Sequence, residues 1–95
     1  MSTVSKKDLV DRIADKTQSK RVTVKAVIQE LLGEITTELA RNNRLEFRDF
    51  GVFEPRTREA RIAQNPKTLE KVQVPAKRTV KFKMGRMMRE RLNSA

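Results

Sequence analysis

The residues with the clearest chemical potential are the cations in the second half of the chain. Residues 44–95 hold 14 Lys or Arg and 6 Asp or Glu, a net charge of +8, whereas residues 1–43 hold 8 and 6, a net charge of +2. Lys and Arg bind phosphate chains strongly because they displace condensed counterions. The uneven charge therefore predicts that the second half binds a polyanion, with nucleic acid favoured over an anionic membrane surface.

Nine of these cations flank a tip that contains a proline. They are Arg56, Arg58, Arg61, Lys67, Lys71, Lys77, Arg78, Lys81 and Lys83, and the tip is Gln64-Asn65-Pro66-Lys67. Alternate residues of a strand share one face, so Arg56 and Arg58 are expected to point toward the same row of phosphates. The alternative is a solvated edge strand protected by its charge. Pro66 is either a simple turn residue or a rigid wedge that enters between base pairs and kinks a duplex.

Two further arginines stand where the last helix is expected to begin. The dipole at the N-terminus of a helix favours anions, so Arg86 and Arg89 are candidates for binding a phosphate there. Simple solvation at the surface explains them equally well.

Catalysis is poorly supported by the residue types present. The chain has no Cys and no His, which removes disulfides, the usual zinc ligand sets and the commonest general base at neutral pH. Its acidic residues are scattered among basic ones instead of being paired at an apolar site. We expect a protein that is not an enzyme, with no catalytic residue, metal, cofactor or small-molecule substrate. A metal site of carboxylates alone stays open, although no motif for one is present.

The size and composition favour one small domain that gains stability from a partner. The chain has 95 residues, of which 37% are apolar and 36% charged, so few positions are available for a core. No apolar run approaches the roughly 20 residues needed to span a bilayer, and residues 1–8 lack the apolar stretch of a signal peptide. We expect a soluble, cytoplasmic protein.

Helical periodicity dominates the first 43 residues. Ser5 and Asp8 predict a capping box at the start of a first helix over residues 6–16. Thr23 is expected to cap a second helix that ends at Asn42-Asn43. Its apolar stripe comprises Val24, Val27, Ile28, Leu31, Leu32, Ile35 and Leu39. This stripe is wider than a short first helix can cover, so we expect it to pack against a second subunit, identical or related.

From Arg44 onward the apolar period changes to two, which predicts strands. Leu45 and Phe47 begin the pattern, and Gly51 is expected to allow a tight turn or close packing before it continues. Residues 54–64 and 71–83 form the two sides of a predicted hairpin, about ten residues a side. Because the hairpin has too few apolar positions to bury a face, it should project into solvent and be poorly ordered until something binds it. After Gly85, apolar residues at helical spacing predict a short last helix.

The order of these elements resembles the HU and integration host factor family across essentially the whole chain. The resemblance is carried by LEFRDFGVF at 45–53, NPKT at 65–68, VPA at 74–76 and FKMG at 82–85. It implies an α+β fold and an intertwined dimer. Residues 1–43 would form the helical base, residues 44–83 a three-stranded antiparallel sheet with a protruding β-ribbon arm, and residues 84–95 a short helix.

The resemblance also implies a function and roles for single residues. Members of this family are architectural proteins that embrace double-stranded DNA in the minor groove and bend it, which implies a place in the nucleoid. Pro66 would intercalate with Asn65 beside it, and Arg58 and Arg61 match arm residues that contact DNA. The full candidate set is Arg56, Arg58, Arg61, Gln64, Asn65, Pro66, Lys67, Lys71, Lys77, Arg78, Lys81, Lys83 and Arg86. An RNA-binding structural protein, such as a ribosome-associated one, is the alternative.

Three positions depart from the family pattern. Gln64 stands where Arg is common, Leu69 where Gly is common, and Met84 where Pro is common. Gln64 removes one cation from the tip, and Leu69 replaces the residue best able to adopt a positive φ. We therefore expect the geometry of the tip, and with it the bending of DNA, to differ from the family pattern.

Overall fold

The computed structural model describes residues 1–94 and has an α+β fold. Its helices are α1 (Lys6–Thr17), α2 (Arg21–Ala40) and α3 (Arg86–Asn93). Its strands are β1 (Leu45–Phe47), β2 (Gly51–Arg58), β3 (Arg61–Gln64), β4 (Lys71–Val74) and β5 (Lys77–Met84). The chain divides into two units, residues 1–37 and the part from Glu38 onward, which we describe in turn. None of the helices in residues 1–94 has the length and apolar character needed to cross a bilayer.

Helix α1 begins with the predicted capping box. The Ser5 hydroxyl accepts a hydrogen bond from the Asp8 amide at 3.2 Å, and the Asp8 carboxylate accepts one from the Ser5 amide at 3.0 Å. The hydrogen bond from the Ser5 amide has the largest effect, followed by the hydrogen bond with the Ser5 hydroxyl, and both lower the pKa of Asp8 below its ordinary value. Gln18 ends the helix in the left-handed conformation, with φ of 52°.

The core of the first unit is small. Val10 and Ala14 of α1 and Val24 of α2 are buried, and Ile28 packs against them. Ile35 is half-buried, but three residues of the α2 stripe in this unit are exposed: Val27 at 63%, Leu31 at 49% and Leu32 at 44%. One copy of the chain therefore leaves much of the predicted apolar stripe uncovered.

Helix α2 begins earlier than its sequence suggested. The Val24 amide donates a 3.0 Å hydrogen bond to the Lys20 carbonyl, so helical bonding starts before Thr23. The prediction that Thr23 caps this helix is therefore wrong, since Thr23 lies inside its first turn. The predicted end is confirmed to within two residues, because α2 stops at Ala40 and Asn42 follows with a positive φ of 69°.

The second unit contains the predicted three-stranded antiparallel sheet, in the order β1-β2-β5. The residue that turns the chain between β1 and β2 is Asp49, with φ of 67°, and Gly51 has no positive φ. Of the two roles expected for Gly51, a tight turn or close packing, the tight turn is therefore wrong. Gly51 is required for close packing, since a Cβ atom there would lie 2.5 Å from the Phe82 ring and 2.7 Å from the Lys83 carbonyl oxygen.

Four phenylalanines form the apolar cluster of the second unit. Phe53 and Phe82 pair directly across β2 and β5, with ring centroids 4.8 Å apart. Phe47 lies edge-on to Phe53 at 6.0 Å, and Phe50 lies 5.7 Å from Phe82. These contacts give the sheet a fixed apolar face and leave its opposite face for polar residues.

The predicted hairpin is interrupted along its length. β2 pairs with β5 from Gly51↔Met84 to Arg58↔Lys77, and β3 pairs with β4 from Arg61↔Val74 to Gln64↔Lys71. Two residues on each strand separate the ladders, including Pro75, which has no amide hydrogen to donate. We call β3, β4 and the loop between them the distal ribbon, and the loop itself, residues 65–70, the tip.

Candidate nucleic-acid interface

Five cations lie on the sheet face opposite the phenylalanines. Residues directly opposite in an antiparallel pair share a face, and alternate residues along each strand do so as well. The register therefore places on one face the side chains of Arg56, Arg58, Lys77, Lys81 and Lys83, which we call the cationic face. All five are exposed. The sequence-based expectation that Arg56 and Arg58 point the same way agrees with this register.

A single carboxylate organises one end of the cationic face. Glu54 lies 3.3 Å from the Arg56 guanidinium, 3.4 Å from the Lys83 ammonium and 3.9 Å from the Arg44 guanidinium. Its side chain is only 19% exposed, and this burial opposes ionisation. The charges of Lys83 and Arg56 and their hydrogen bonds outweigh that effect, so the pKa of Glu54 is lowered. Glu54 therefore holds cations in place at the cost of neutralising part of their charge.

The break between the two ladders adds one further cation, Arg61. It lines one surface depression with Arg58 and Lys77 of the cationic face and with Glu59, Val74 and Pro75. This depression joins the cationic face to the distal ribbon. A row of positive charge thus continues across the interruption of the hairpin.

The tip is an ordered loop. The Asn65 amide donates to the Glu70 carbonyl at 2.8 Å, and the Leu69 amide donates to the Asn65 carbonyl at 2.8 Å. The Asn65 side chain accepts a 3.0 Å hydrogen bond from the Lys67 amide, as in an Asx turn. These bonds fix the backbone on both sides of Pro66 and Lys67, which stand exposed at the end of the distal ribbon.

Gln64, the last residue of β3, contacts Leu69 of the tip, and both residues depart from the family pattern. Leu69 adopts a positive φ of 62°, the conformation that a glycine would take most easily. The Gln64 side-chain amide donates a 3.3 Å hydrogen bond to the Leu69 carbonyl. Gln64 therefore supports the turn at this point, and Lys71 faces it across the ladder.

Arg78 does not join the other cations. It pairs with Thr57, which places it on the sheet face opposite the cationic one. Its guanidinium donates hydrogen bonds of 2.8 Å to the Leu39 carbonyl and 3.1 Å to the Ala40 carbonyl, at the end of α2. Its assignment to the binding set stays a prediction, whereas the structure places Arg78 as a cap on a helix C-terminus.

Arg86 is the first residue of α3, as the sequence predicted. Its guanidinium donates a 3.1 Å hydrogen bond to Glu90, one helical turn further on, and both side chains are exposed. Gly85 caps the helix without a side-chain hydrogen bond. The two interpretations of Arg86, a phosphate ligand or a solvated residue, both fit this arrangement.

The sequence-based set omitted Arg44 and Glu54. Alternation along the strand does place Glu54 on the same face as Arg56 and Arg58. An acidic residue, however, has no obvious role beside an anionic ligand. The partners of Arg44, Glu46 and Glu54, lie on different strands, and only the register brings them together. Among residues 1–94 no group of three or more His, Cys, Asp or Glu side chains could hold a metal ion.

Comparisons with known proteins agree with this geometry. Residues 4–93 match the family model described as bacterial DNA-binding protein. The DNA-binding protein HU of Thermus thermophilus is 38% identical over 90 residues, covering 95% of this chain and 93% of its own. The integration host factor subunit beta of Tolumonas auensis is 39% identical over 92 residues, covering 96% and 99%.

A solved structure matches the fold as well. The chain of Anabaena HU, cocrystallised with DNA, superposes with a TM-score of 0.84 at 34% identity, covering 97% of this chain and 100% of that one. Sequence and fold thus point to the same relatives over nearly the full length. The chain belongs to the bacterial DNA-binding protein family that contains HU and integration host factor.

Proposed function

We propose that this protein is a non-catalytic architectural protein that binds double-stranded DNA in the minor groove and bends it. The observation that carries the proposal is the cationic face, which continues through Arg58, Arg61 and Lys77 into a ribbon with an exposed proline at its end. Such an arrangement suits phosphate contacts along a groove, with a wedge at the far end. Its expected role is to compact or remodel the nucleoid in the cytoplasm.

Phosphate contacts supply most of the binding free energy in this proposal. The cationic face provides five cations, and the distal ribbon adds Arg61, Lys67 and Lys71. Each phosphate neutralised releases condensed counterions, so affinity falls steeply as salt rises. Arg side chains are also drawn to the strong negative potential of a narrow minor groove.

Pro66 supplies the bend. Its ring is rigid and apolar, and the hydrogen bonds of Asn65 hold the backbone around it. A wedge held in this way can separate two stacked base pairs without losing much conformational freedom of its own. Asn65 and Lys67 then lie beside the opened step, where they can contact sugar and phosphate groups.

A second subunit completes the protein. The uncovered α2 stripe, with Val27 and Leu31 exposed in the single chain, requires a partner that buries it. The partner is a second copy of this chain or a related subunit, and in either case two arms grip the duplex. Pairing also provides the core that 95 residues with 37% apolar content cannot build alone.

The proposal is tested with a duplex that carries a dye at each end. Energy transfer between the dyes rises as the bound protein bends the duplex and brings its ends together. Pro66→Ala is expected to reduce energy transfer more than it reduces affinity, because the wedge acts on the bend and the cations act on binding. The matched control is Pro55→Ala, since Pro55 pairs with Val80 on the face opposite the cationic one. An unchanged bend angle in Pro66→Ala would refute the role of the wedge.

Competition between duplex DNA and duplex RNA tests the choice of nucleic acid. RNA has a deep, narrow major groove and a wide, shallow minor groove, which this ribbon does not suit. We expect duplex DNA to displace duplex RNA at matched length and salt. Preference for the RNA would support an RNA-binding structural protein instead.

A further inference from the structure

Leu69 is an exposed apolar side chain at the tip, in a conformation that leucine rarely adopts. It is 68% exposed, and its φ of 62° is left-handed. A glycine would take this conformation at no steric cost, whereas a leucine clashes with its own backbone. Neither burial nor local conformational preference therefore explains leucine at this position.

The tip holds Leu69 in place although its side chain is free. Its amide donates to the Asn65 carbonyl at 2.8 Å, and its carbonyl accepts from the Gln64 side chain at 3.3 Å. The neighbouring Glu70 carbonyl accepts from the Asn65 amide at 2.8 Å. Both backbone groups of Leu69 are thus satisfied, so the loop fixes the backbone from which the leucine side chain projects.

The same hydrogen bonds bring Leu69 into the turn that carries Pro66. The bond from the Leu69 amide to the Asn65 carbonyl closes a single turn with Pro66 inside it. Lys67 lies in this turn, and Lys71 follows it as the first residue of β4. The tip therefore offers two apolar side chains with cations on either side, which complements a groove lined by phosphates.

We propose that Leu69 is a second apolar contact with duplex DNA, which enters the minor groove beside Pro66 and enlarges the wedge. Leucine is among the side chains that unstack base steps from the minor groove. Gln64 is the positioning residue for this contact, because it anchors the Leu69 carbonyl. The inference rests on the proposed function and adds to it a residue that acts on the same base step.

Three substitutions separate an apolar contact from a role in shaping the turn. Leu69→Gly and Leu69→Asn suit a positive φ and remove the apolar side chain, whereas Leu69→Met keeps an apolar side chain of similar size. The measurements are end-to-end energy transfer in a short A·T-rich duplex and affinity at several salt concentrations. Circular dichroism of each variant shows that it is folded.

We expect Leu69→Gly and Leu69→Asn to reduce the bend and weaken binding about tenfold at every salt concentration, as loss of one partly buried leucine would. The slope of affinity against salt should not change, because no cation is lost. Leu69→Met should restore most of the bend. A leucine that only shaped the turn would be replaced by glycine with no loss.

The outcomes also separate this inference from the proposed function. If the wild type bends the duplex and Pro66→Ala bends it less, but Leu69→Gly and Leu69→Asn behave as the wild type, the leucine contact is refuted and the proposed function stands. If the wild type neither binds nor bends the duplex, both are refuted. A steeper or shallower salt slope in Leu69→Asn would also contradict an apolar contact.

Discussion

The guanidinium of Arg78 donates a 2.8 Å hydrogen bond to the carbonyl oxygen of Leu39, 39 residues earlier in the chain. The last carbonyls of a helix have no partner within it and carry the negative end of its dipole. Arg78, on β5, supplies both the hydrogen bonds and the opposite charge, and so connects the sheet to the end of α2. One cation of the basic hairpin is therefore used for stability.

Replacing Arg78 should affect folding more than DNA binding. Arg78→Met is expected to lower the free energy of unfolding by about 1 to 2 kcal/mol, through loss of the hydrogen bonds to Leu39 and Ala40. Lys77→Met, the neighbour on the cationic face, should leave stability nearly unchanged and reduce the salt slope of DNA binding by about 1. Urea unfolding at fixed protein concentration measures the stability of each variant, and a salt titration of DNA binding measures its slope. The reverse pattern would place Arg78 in the interface.

The two glycines Gly51 and Gly33 should respond to alanine in opposite directions. At Gly51 the added methyl group would lie 2.5 Å from the Phe82 ring, so Gly51→Ala should cost about 1 to 3 kcal/mol or prevent folding. At Gly33 nothing lies within 4 Å of the new atom, and alanine favours a helix interior by about 0.5 to 1 kcal/mol. Thermal unfolding of both variants tests this pair. A stable Gly51→Ala would show that the Phe82 contact is not tight.

The ion pairs of Glu54 should make its contribution to stability depend on pH. Because the folded protein lowers the pKa of Glu54 below its ordinary value of 4.5, its contribution is complete above that value. The contribution is lost as the pH falls through the lower, folded-state pKa. The difference in unfolding free energy between wild type and Glu54→Gln should therefore be larger at pH 7 than at pH 2.

A matched control for Glu54 is Glu59→Gln. Glu59 follows β2 directly and makes no ion pair with any residue from 1 to 94, unlike Glu54. Because it has no such ion pair to lose, Glu59→Gln should lower the free energy of unfolding at pH 7 by less than Glu54→Gln does. A Glu54 difference that grew on acidification would contradict the assigned direction of its pKa.

The uncovered α2 stripe predicts a subunit interface. Leu31→Glu places a charge on the apolar stripe and should block assembly, leaving a chain that is monomeric or unfolded. Glu30→Gln changes charge at the neighbouring position, outside the stripe, and should assemble normally. Sedimentation equilibrium and circular dichroism measure the two variants. A folded Leu31→Glu assembly of unchanged mass would place the subunit contact elsewhere.

Local patterns predicted most of the fold correctly. The capping box at Ser5 and Asp8 and the change of period at Arg44 depend on neighbouring residues, which a sequence shows directly. Of the two roles expected for Gly51, the sequence alone could not select close packing over a turn, because the Phe82 ring that requires a glycine lies on another strand. Thr23 was misassigned because the helical hydrogen bonds of α2 already begin at the Lys20 carbonyl, so that Thr23 lies inside the first turn.

The binding site was predicted less completely, because its details depend on long-range contacts. Alternation placed Arg56 and Arg58 on one face and also separates Arg78 from Lys77, Lys81 and Lys83, but it gave no signal that Arg78 contacts the end of α2. Its partner Leu39 lies too far along the chain for any local signal. The hydrogen bond between Gln64 and Leu69 could not be predicted from the sequence either, although both residues depart from the family pattern.

The most direct test of the cationic face as the DNA interface is the dependence of affinity on salt. The five cations of the cationic face, at about 0.9 for each phosphate contact, should contribute about −4.5 per subunit to the slope of log affinity against log salt, and the distal ribbon should make the total slope steeper. Arg58→Gln with Lys77→Gln, a directly paired set on that face, should make the slope shallower by about 2. Arg12→Gln with Lys16→Gln, on α1, should leave it unchanged. A flat slope in the wild type, or an equal loss in both double variants, would contradict a DNA interface on the cationic face.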